Sequence, residues 1–191
     1  MNSVFKVIIF GLLVLLLLHY KKYRYYSSDY EIDQQELDYV NGNELYNQSN
    51  PLIITFIEQT SLLDNATRYN LFSLLSFHKK DFMYNTNESY LSHKNEIVLI
   101  RSKQETTVEL INPKYKKYFD NPKQDKNDNI FIKYDLDKKH YNDVKSIEVI
   151  IREYNVLFVP RHWIFKFGVI NNHIEVFSTH NVFSFLFNKI V

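Results

Sequence analysis

The sequence predicts a mainly β domain, of jelly-roll or barrel type with one or two helices, after an N-terminal transmembrane helix. Two observations support this prediction. About eight short apolar runs, separated by polar breaks, follow residue 50, as is typical of antiparallel β folds. In addition, residues 7–18 form an unbroken apolar run, which is typical of a membrane segment because it is apolar on every face.

Changes in composition divide the chain into three segments. Residues 1–26 are predicted to be a transmembrane signal anchor with a basic flank. Residues 27–50 contain six acidic side chains and no Lys or Arg, and they are predicted to be an acidic linker. Residues 51–191 are predicted to form the β domain, which is long enough to bury a core of its own.

The anchor is short, because its twelve apolar residues are fewer than the ~20 that usually span a bilayer. Val4 and Phe5 extend the run, and Lys6 can direct its ammonium group to the interface. A cleaved signal peptide is the alternative interpretation. A cleavage site after the apolar run requires small residues, and residues 19–26 contain none, so the sequence favours an uncleaved anchor.

A basic cluster after the apolar run predicts the orientation of this anchor. Lys21, Lys22 and Arg24 outweigh the charges before the run, so the positive-inside rule places the C-terminal domain on the cytosolic side. The chain is therefore predicted to be a single-pass protein located in a host or virion membrane. Three glycosylation sequons, at Asn47, Asn65 and Asn87, favour the opposite orientation, but a chain with 20 Asn contains such matches by chance.

Composition excludes several classes of function. The absence of Cys rules out a disulfide framework, a thiolate metal site and a thiol nucleophile. The net charge of +1 gives no reason to expect a nucleic-acid partner. Residues with AT-rich codons are abundant, whereas there are three Gly and a single Ala, and this bias is typical of many large DNA viruses.

The apolar runs predict the elements of the β domain. Leu71, Leu74 and Leu75 have helical spacing and predict a helix at residues 65–77. Asn171 and Asn172 predict a tight hairpin turn, and the terminal run 182–191 is predicted to be a strand or a closing helix. The predicted strands are residues 52–57, 97–101, 106–111, 129–134, 147–154, 156–159, 163–170 and 174–178.

One stretch, residues 154–165, carries a recognisable motif: Tyr-Asn-Val-Leu-Phe-Val-Pro-Arg-His-Trp-Ile-Phe. Pro160 and Trp163, after an apolar run, resemble a segment of cupin-like barrel proteins of the JmjC type, in particular the small ones of large DNA viruses. The resemblance implies that Phe165 occupies the position at which members of that family have the last His of an iron site. Phenylalanine cannot bind iron, so the resemblance implies a cupin-like protein without metal, cofactor or catalysis.

The alternation of a strand leads to a compatible expectation. Trp163, Phe165 and Phe167 share one face of an extended strand, which predicts a packing face. If that face points into the barrel, Phe165 occupies the place of a metal. An ordinary buried strand with three core aromatics explains the pattern equally and requires no cupin.

Histidine spacing leaves one catalytic alternative. Family oxygenases bind Fe(II) through His-x-Asp/Glu followed by a later His. In this chain His173 and Glu175 have the His-x-acid spacing, but they follow Trp163, which is the wrong order. An exposed strand explains this pair better, although an oxygenase with rearranged ligands remains open. The pairs His78/Asp81 and His93/Glu96 are predicted to lie in exposed loops.

The predicted function is therefore a membrane-anchored, non-catalytic cupin-like protein of viral origin, with a structural or interaction role. Its partners are predicted to be the lipid bilayer and an unidentified protein. Residues 114–119 mix Lys with Tyr and could contact nucleic acid or lipid head groups, but a solvated loop is favoured there. Arg161 could bind an anion at the barrel rim.

Overall fold

The computed structural model describes residues 3–24, 31–56, 61–71, 76–124, 130–169 and 172–181. The elements, in chain order, are α1 (Ser3–Arg24), β1 (Asp33–Glu36), α2 (Gly42–Asn47), β2 (Leu52–Thr55), α3 (Leu62–Arg68), β3 (Ser76–Asn85), β4 (Tyr90–His93), β5 (Ile97–Ser102), β6 (Thr106–Ile111), β7 (Phe119–Gln124), β8 (Phe131–Leu136), β9 (Ser146–Ile151), β10 (Asn155–Val159), β11 (Ile164–Phe167) and β12 (His173–Asn181). Short 3₁₀ helices lie at Leu37–Tyr39, Pro113–Tyr118 and Lys138–Asp143.

The strands form two six-stranded sheets. Sheet A has the order β1-β2-β10-β5-β12-β3, and sheet B has the order β7-β8-β4-β11-β6-β9. Eight of these strands pair in a nested antiparallel pattern, β3 with β12, β4 with β11, β5 with β10 and β6 with β9. This nesting is the topology of a jelly roll, in which one long hairpin is rolled into two sheets. The mainly β, jelly-roll part of the sequence prediction is confirmed.

Sheet A is buried on both faces, which explains its continuous apolar strands. On β5, Val98 and Ile100 face the core between the two sheets, whereas Ile97 and Leu99 face a second core outside sheet A. Strand β10 alternates in the same way. A strand that is covered on both faces needs apolar side chains at every position, so no polar alternation is visible in the sequence.

The second core is closed by α2, α3 and the chain around β1. Leu37, Val40 and Leu45 are all buried there. The Asn41 side chain caps α2, since its Oδ1 accepts hydrogen bonds from the N–H groups of Asn43 and Glu44 at 3.0 and 3.1 Å. Much of the segment predicted to be a linker is therefore folded against sheet A.

The prediction of a transmembrane helix is wrong. Helix α1 covers the predicted segment, but none of the helices in the described ranges is both long enough and apolar enough to cross a membrane. The unbroken run of twelve apolar residues measures about 18 Å as a helix, whereas the hydrocarbon core is about 30 Å thick. Lys21, Lys22 and Arg24 lie in the last turns of α1, and their predicted role as a membrane flank, like the predicted membrane localisation, is corrected with it.

Two further predictions differ from the structure around residues 62–85. The helix expected at residues 65–77 is the shorter α3, and β3 already begins at Ser76. The exposed loop expected around Asp81 is part of β3, which lies at the edge of sheet A. An edge strand tolerates charged residues, so its sequence lacks the apolar signal of an inner strand. Asn171 and residues 182–191 lie outside the described ranges.

Candidate functional site

The space between the two sheets is filled by aromatic side chains. Phe165, which stands where the sequence resemblance implies a metal ligand, is 0% exposed. Its ring makes edge-to-face contacts with Phe131 and Phe167, with centroids at 5.4 and 5.6 Å. Leu91 and Leu110 lie opposite Phe165 on the neighbouring strands. The residues present here do not fit an iron site, because none of these side chains has a metal-binding atom.

The other two motif residues shape the turn before β11. The Trp163 N–H donates to the Pro160 carbonyl at 3.3 Å, which closes a four-residue turn. His162, the third residue of that turn, has a φ of 69°, the left-handed value that type II turns require there. The fully buried Trp163 ring donates from Nε1 to the Ser49 carbonyl at 3.0 Å. Trp163 thus links the turn between β10 and β11 to the segment between α2 and β2.

His93 is a buried histidine between the sheets that the sequence did not single out correctly. It ends β4 in sheet B, and its Nε2 donates to the Val159 carbonyl of β10 in sheet A at 2.9 Å. Because a carbonyl can only accept, Nε2 carries the proton, and Nδ1 has no hydrogen-bond partner in the described part of the chain. Burial, opposed by the bond to Val159, lowers the pKa of His93 from 6.5 to about 3.

This depressed pKa predicts a stability that depends on pH. Below pH 6.5 the unfolded chain binds a proton that folded His93 does not, so stability falls from pH 6.5 towards pH 3, by up to about 1.4 kcal/mol per pH unit. We expect His93→Gln to flatten this acid slope in urea-unfolding series. His173→Gln, at an exposed histidine, is the control and should keep the wild-type slope. Equal slopes in wild type and His93→Gln would contradict the assignment.

Glu175, one half of the predicted His-x-acid pair, lies on the outer face of sheet A. Its Oε1 accepts from the N–H of Leu62 at the start of α3, at 2.5 Å, and its Oε2 accepts from Nε of Arg101 at 2.9 Å and from Nη2 of the same side chain. Partial burial, followed by the charge of Glu175, raises the pKa of Asp81, whereas Arg101 lowers it. Arg101 thus balances two carboxylates, and Glu175 links the start of α3 to the sheet.

The remaining predicted histidine pairs do not converge on a metal. His173 is exposed. In the pair His93/Glu96, the Glu96 carboxylate is buried and accepts a hydrogen bond from Ser76 Oγ at 2.9 Å. The prediction that this pair lies in an exposed loop is therefore wrong. His78 pairs with His180 across β3 and β12. Within the described ranges, no group of three His, Asp or Glu side chains could hold a metal ion.

A groove of about 540 Å³ runs over the outer face of sheet B, and we call it the tyrosine groove. It is lined by Tyr90 of β4, Tyr134 of β8 and Tyr141 of the 3₁₀ helix Lys138–Asp143. Tyr134 is buried, Tyr90 is half-buried and Tyr141 is 67% exposed. Burial, then the charge of Glu109, raises the pKa of Tyr90 to about 12, so its phenol stays neutral.

Charged side chains of both signs complete the tyrosine groove. Lys138 and Lys166 supply two ammonium groups, and Glu88 and Asp135 supply two carboxylates. Lys166 lies over the Tyr90 ring, with its Nζ at 5.1 Å from the centroid. No single sequence pattern predicted this groove, because its residues come from three separate stretches of the chain, residues 88–90, 134–141 and 166. The nearest signal was the Lys- and Tyr-rich stretch 114–119, whose Tyr118 stacks on His140 beside the groove at 4.6 Å.

Comparison with known proteins identified neither a matching family model nor a matching curated protein. The solved structures that are similar to this chain include a dTDP-4-dehydrorhamnose 3,5-epimerase from Bacillus anthracis str. Ames with TDP and PPi bound. Its sequence identity to this chain is 12% and the TM-score is 0.31, and the similar region covers 66% of this chain and 63% of that chain. Another is RmlC from Streptococcus suis in complex with dTDP-D-xylose, at 9% identity and a TM-score of 0.31, covering 66% and 56%.

This chain therefore spans less than two thirds of the length of these two proteins. Similarities of this size carry no argument about activity, substrate or cofactor, and the jelly-roll assignment rests on the strand order described above. The JmjC-type relationship and the viral origin stay predictions of the sequence.

Proposed function

We propose that this chain is a non-catalytic jelly-roll protein that acts through its surface, in a structural or binding role. The observation that carries the proposal is the filled interior. Trp163, Phe131, Phe165 and Phe167 are each no more than 1% exposed. Protein interiors packed in this way have no room for a substrate, so chemistry of the kind that barrel enzymes perform inside the barrel has no place here.

Among the described residues, the interior also lacks the donor set for metal chemistry. The imidazole of His93 lies there, and one of its ring nitrogens donates a hydrogen bond to the Val159 carbonyl. The nearby positive charge of Arg161 opposes the binding of a cation to this imidazole. A catalytic iron site needs three protein ligands with open positions. His93, with one imidazole nitrogen already bonded to the Val159 carbonyl, does not meet that need by itself, which supports a role without metal.

The alternative, an Fe(II)- and 2-oxoglutarate-dependent oxygenase with rearranged ligands, would have to use His173 and Glu175. Both carboxylate oxygens of Glu175 are already engaged, by the Leu62 N–H and by Arg101. Binding iron there would uncover the charge of Arg101 and release the start of α3. The outer face of sheet A is therefore a poor place for this chemistry, and the non-catalytic proposal is preferred.

Elemental analysis of the purified full-length chain and Fe(II) and Mn(II) titration without oxygen test for a metal, and an assay of 2-oxoglutarate consumption in air with added Fe(II) tests for turnover. We expect no stoichiometric metal and no consumption of 2-oxoglutarate. Stoichiometric iron that disappears in His93→Gln would place a metal in the barrel. Stoichiometric iron that disappears in Glu175→Gln would place it on the outer face of sheet A. Either result would overturn the non-catalytic proposal.

A further inference from the structure

The tyrosine groove differs from the barrel interior because it is open and polar. Its two ammonium groups are matched by two carboxylates, so its lining has no net charge. A phosphate, a nucleic acid or a polyanion is bound by an excess of cationic groups, and a metal ion by an excess of anionic ones. The charge balance of the lining therefore fits a ligand that is itself neutral and polar.

The rings of the groove determine the shape of that ligand. Tyr90 is held in place, since Lys166 covers one of its faces and the Phe119 ring contacts it edge-on at 5.2 Å. Tyr141 stands beside it with 67% of its surface exposed. An exposed aromatic ring next to donors and acceptors favours a ligand with an apolar face and a polar rim.

We propose that the tyrosine groove binds a neutral, polyhydroxylated ring compound, such as the pyranose units of an oligosaccharide, with one ring stacked on Tyr141. Carboxylates of Glu88 and Asp135 accept hydrogen bonds from the hydroxyl groups, and Lys138 and Lys166 donate to them. This inference rests on the proposed surface function and specifies its ligand. The pKa of about 12 keeps the Tyr90 phenol an O–H donor at neutral pH.

Calorimetric titration of the full-length chain with neutral hexasaccharides tests this proposal. The probes are the hexamers of glucose in both anomeric linkages, of mannose, of xylose and of N-acetylglucosamine, with heparin and polygalacturonate as charged comparators. We expect at least one neutral hexamer to bind at millimolar concentration. Tyr141→Ala should weaken it about tenfold, which corresponds to about 1.4 kcal/mol.

Tyr39→Ala is the matched control, because Tyr39 is 72% exposed and lies outside the groove. It should leave the affinity unchanged. Failure of every neutral hexamer to bind, binding of the charged polymers alone, or equal affinities in wild type and Tyr141→Ala would each overturn the ligand assignment. None of these results bears on the non-catalytic proposal, which fails only if stoichiometric metal or turnover is measured.

Discussion

Phe165→Ala is expected to lower the free energy of unfolding by about 3–5 kcal/mol, the range that large-to-small changes of buried aromatics produce. The Phe165 ring is fully buried, and its loss would leave a cavity between two edge-to-face partners, Phe131 and Phe167. Urea unfolding followed by circular dichroism measures the change. Phe165→Leu, which leaves a smaller cavity, should lose less and keeps the test informative if the alanine variant does not fold.

Tyr39→Ala serves as the control for truncation of an aromatic side chain, because Tyr39 is largely exposed. We expect it to change stability by no more than about 0.5 kcal/mol, as is usual for surface positions. A loss of that size in Phe165→Ala as well would show that this side chain does not face the core between the sheets.

Arg101→Met is the second change with a large expected effect. The side chains of Arg101 and Glu175 are only 11% and 15% exposed, so removal of the cation leaves Glu175 poorly solvated and close to Asp81. Removing one partner of a buried ion pair costs about 3–5 kcal/mol. We expect a loss in that range, measured by urea unfolding at pH 7, together with faster hydrogen exchange in α3.

The exposed pair Arg152–Glu105 is the matched control. Its charged atoms are 3.4 Å apart, but its side chains are 70% and 65% exposed. Arg152→Met should therefore cost less than about 1 kcal/mol. The double variant Arg101→Met/Glu175→Leu should be more stable than Arg101→Met alone, since it leaves no uncompensated charge. A double variant that is no more stable than Arg101→Met would contradict this explanation.

The sequence predicted most of the inner strands, because burial on one or both faces usually requires apolar residues. Strands β5, β6 and β10 were found nearly residue for residue, and the inward face of β11 was assigned from alternation alone. Strands β1, β3, β4 and β7 were missed. β1, β3 and β7 lie at sheet edges, where side chains are solvated and charged residues are tolerated, so their sequences carry little periodic apolar signal. β4 lies inside sheet B, but two of its four residues, Ser92 and His93, are buried polar residues, so the strand shows no apolar run.

The candidate site was harder to predict than the fold. Phe165 could be recognised because it stands in a motif, and its burial follows from strand alternation. The tyrosine groove is formed when Tyr90, Tyr141 and Lys166, each unremarkable in its own segment, are brought together on one face of sheet B. The burial of His93 was missed for a similar reason, since it depends on contact with Val159, 66 residues away in the sequence.

The barrel interior is packed rather than open, and the fluorescence of the single tryptophan is a direct probe of this packing. Trp163 is the only Trp of the chain, is fully buried and lies in the same core cluster as Phe165. Acrylamide quenching of its fluorescence therefore measures access to this core. A packed interior predicts a quenching slope close to zero for the native chain and a steep slope in urea. A native slope comparable with that of the unfolded chain would contradict it.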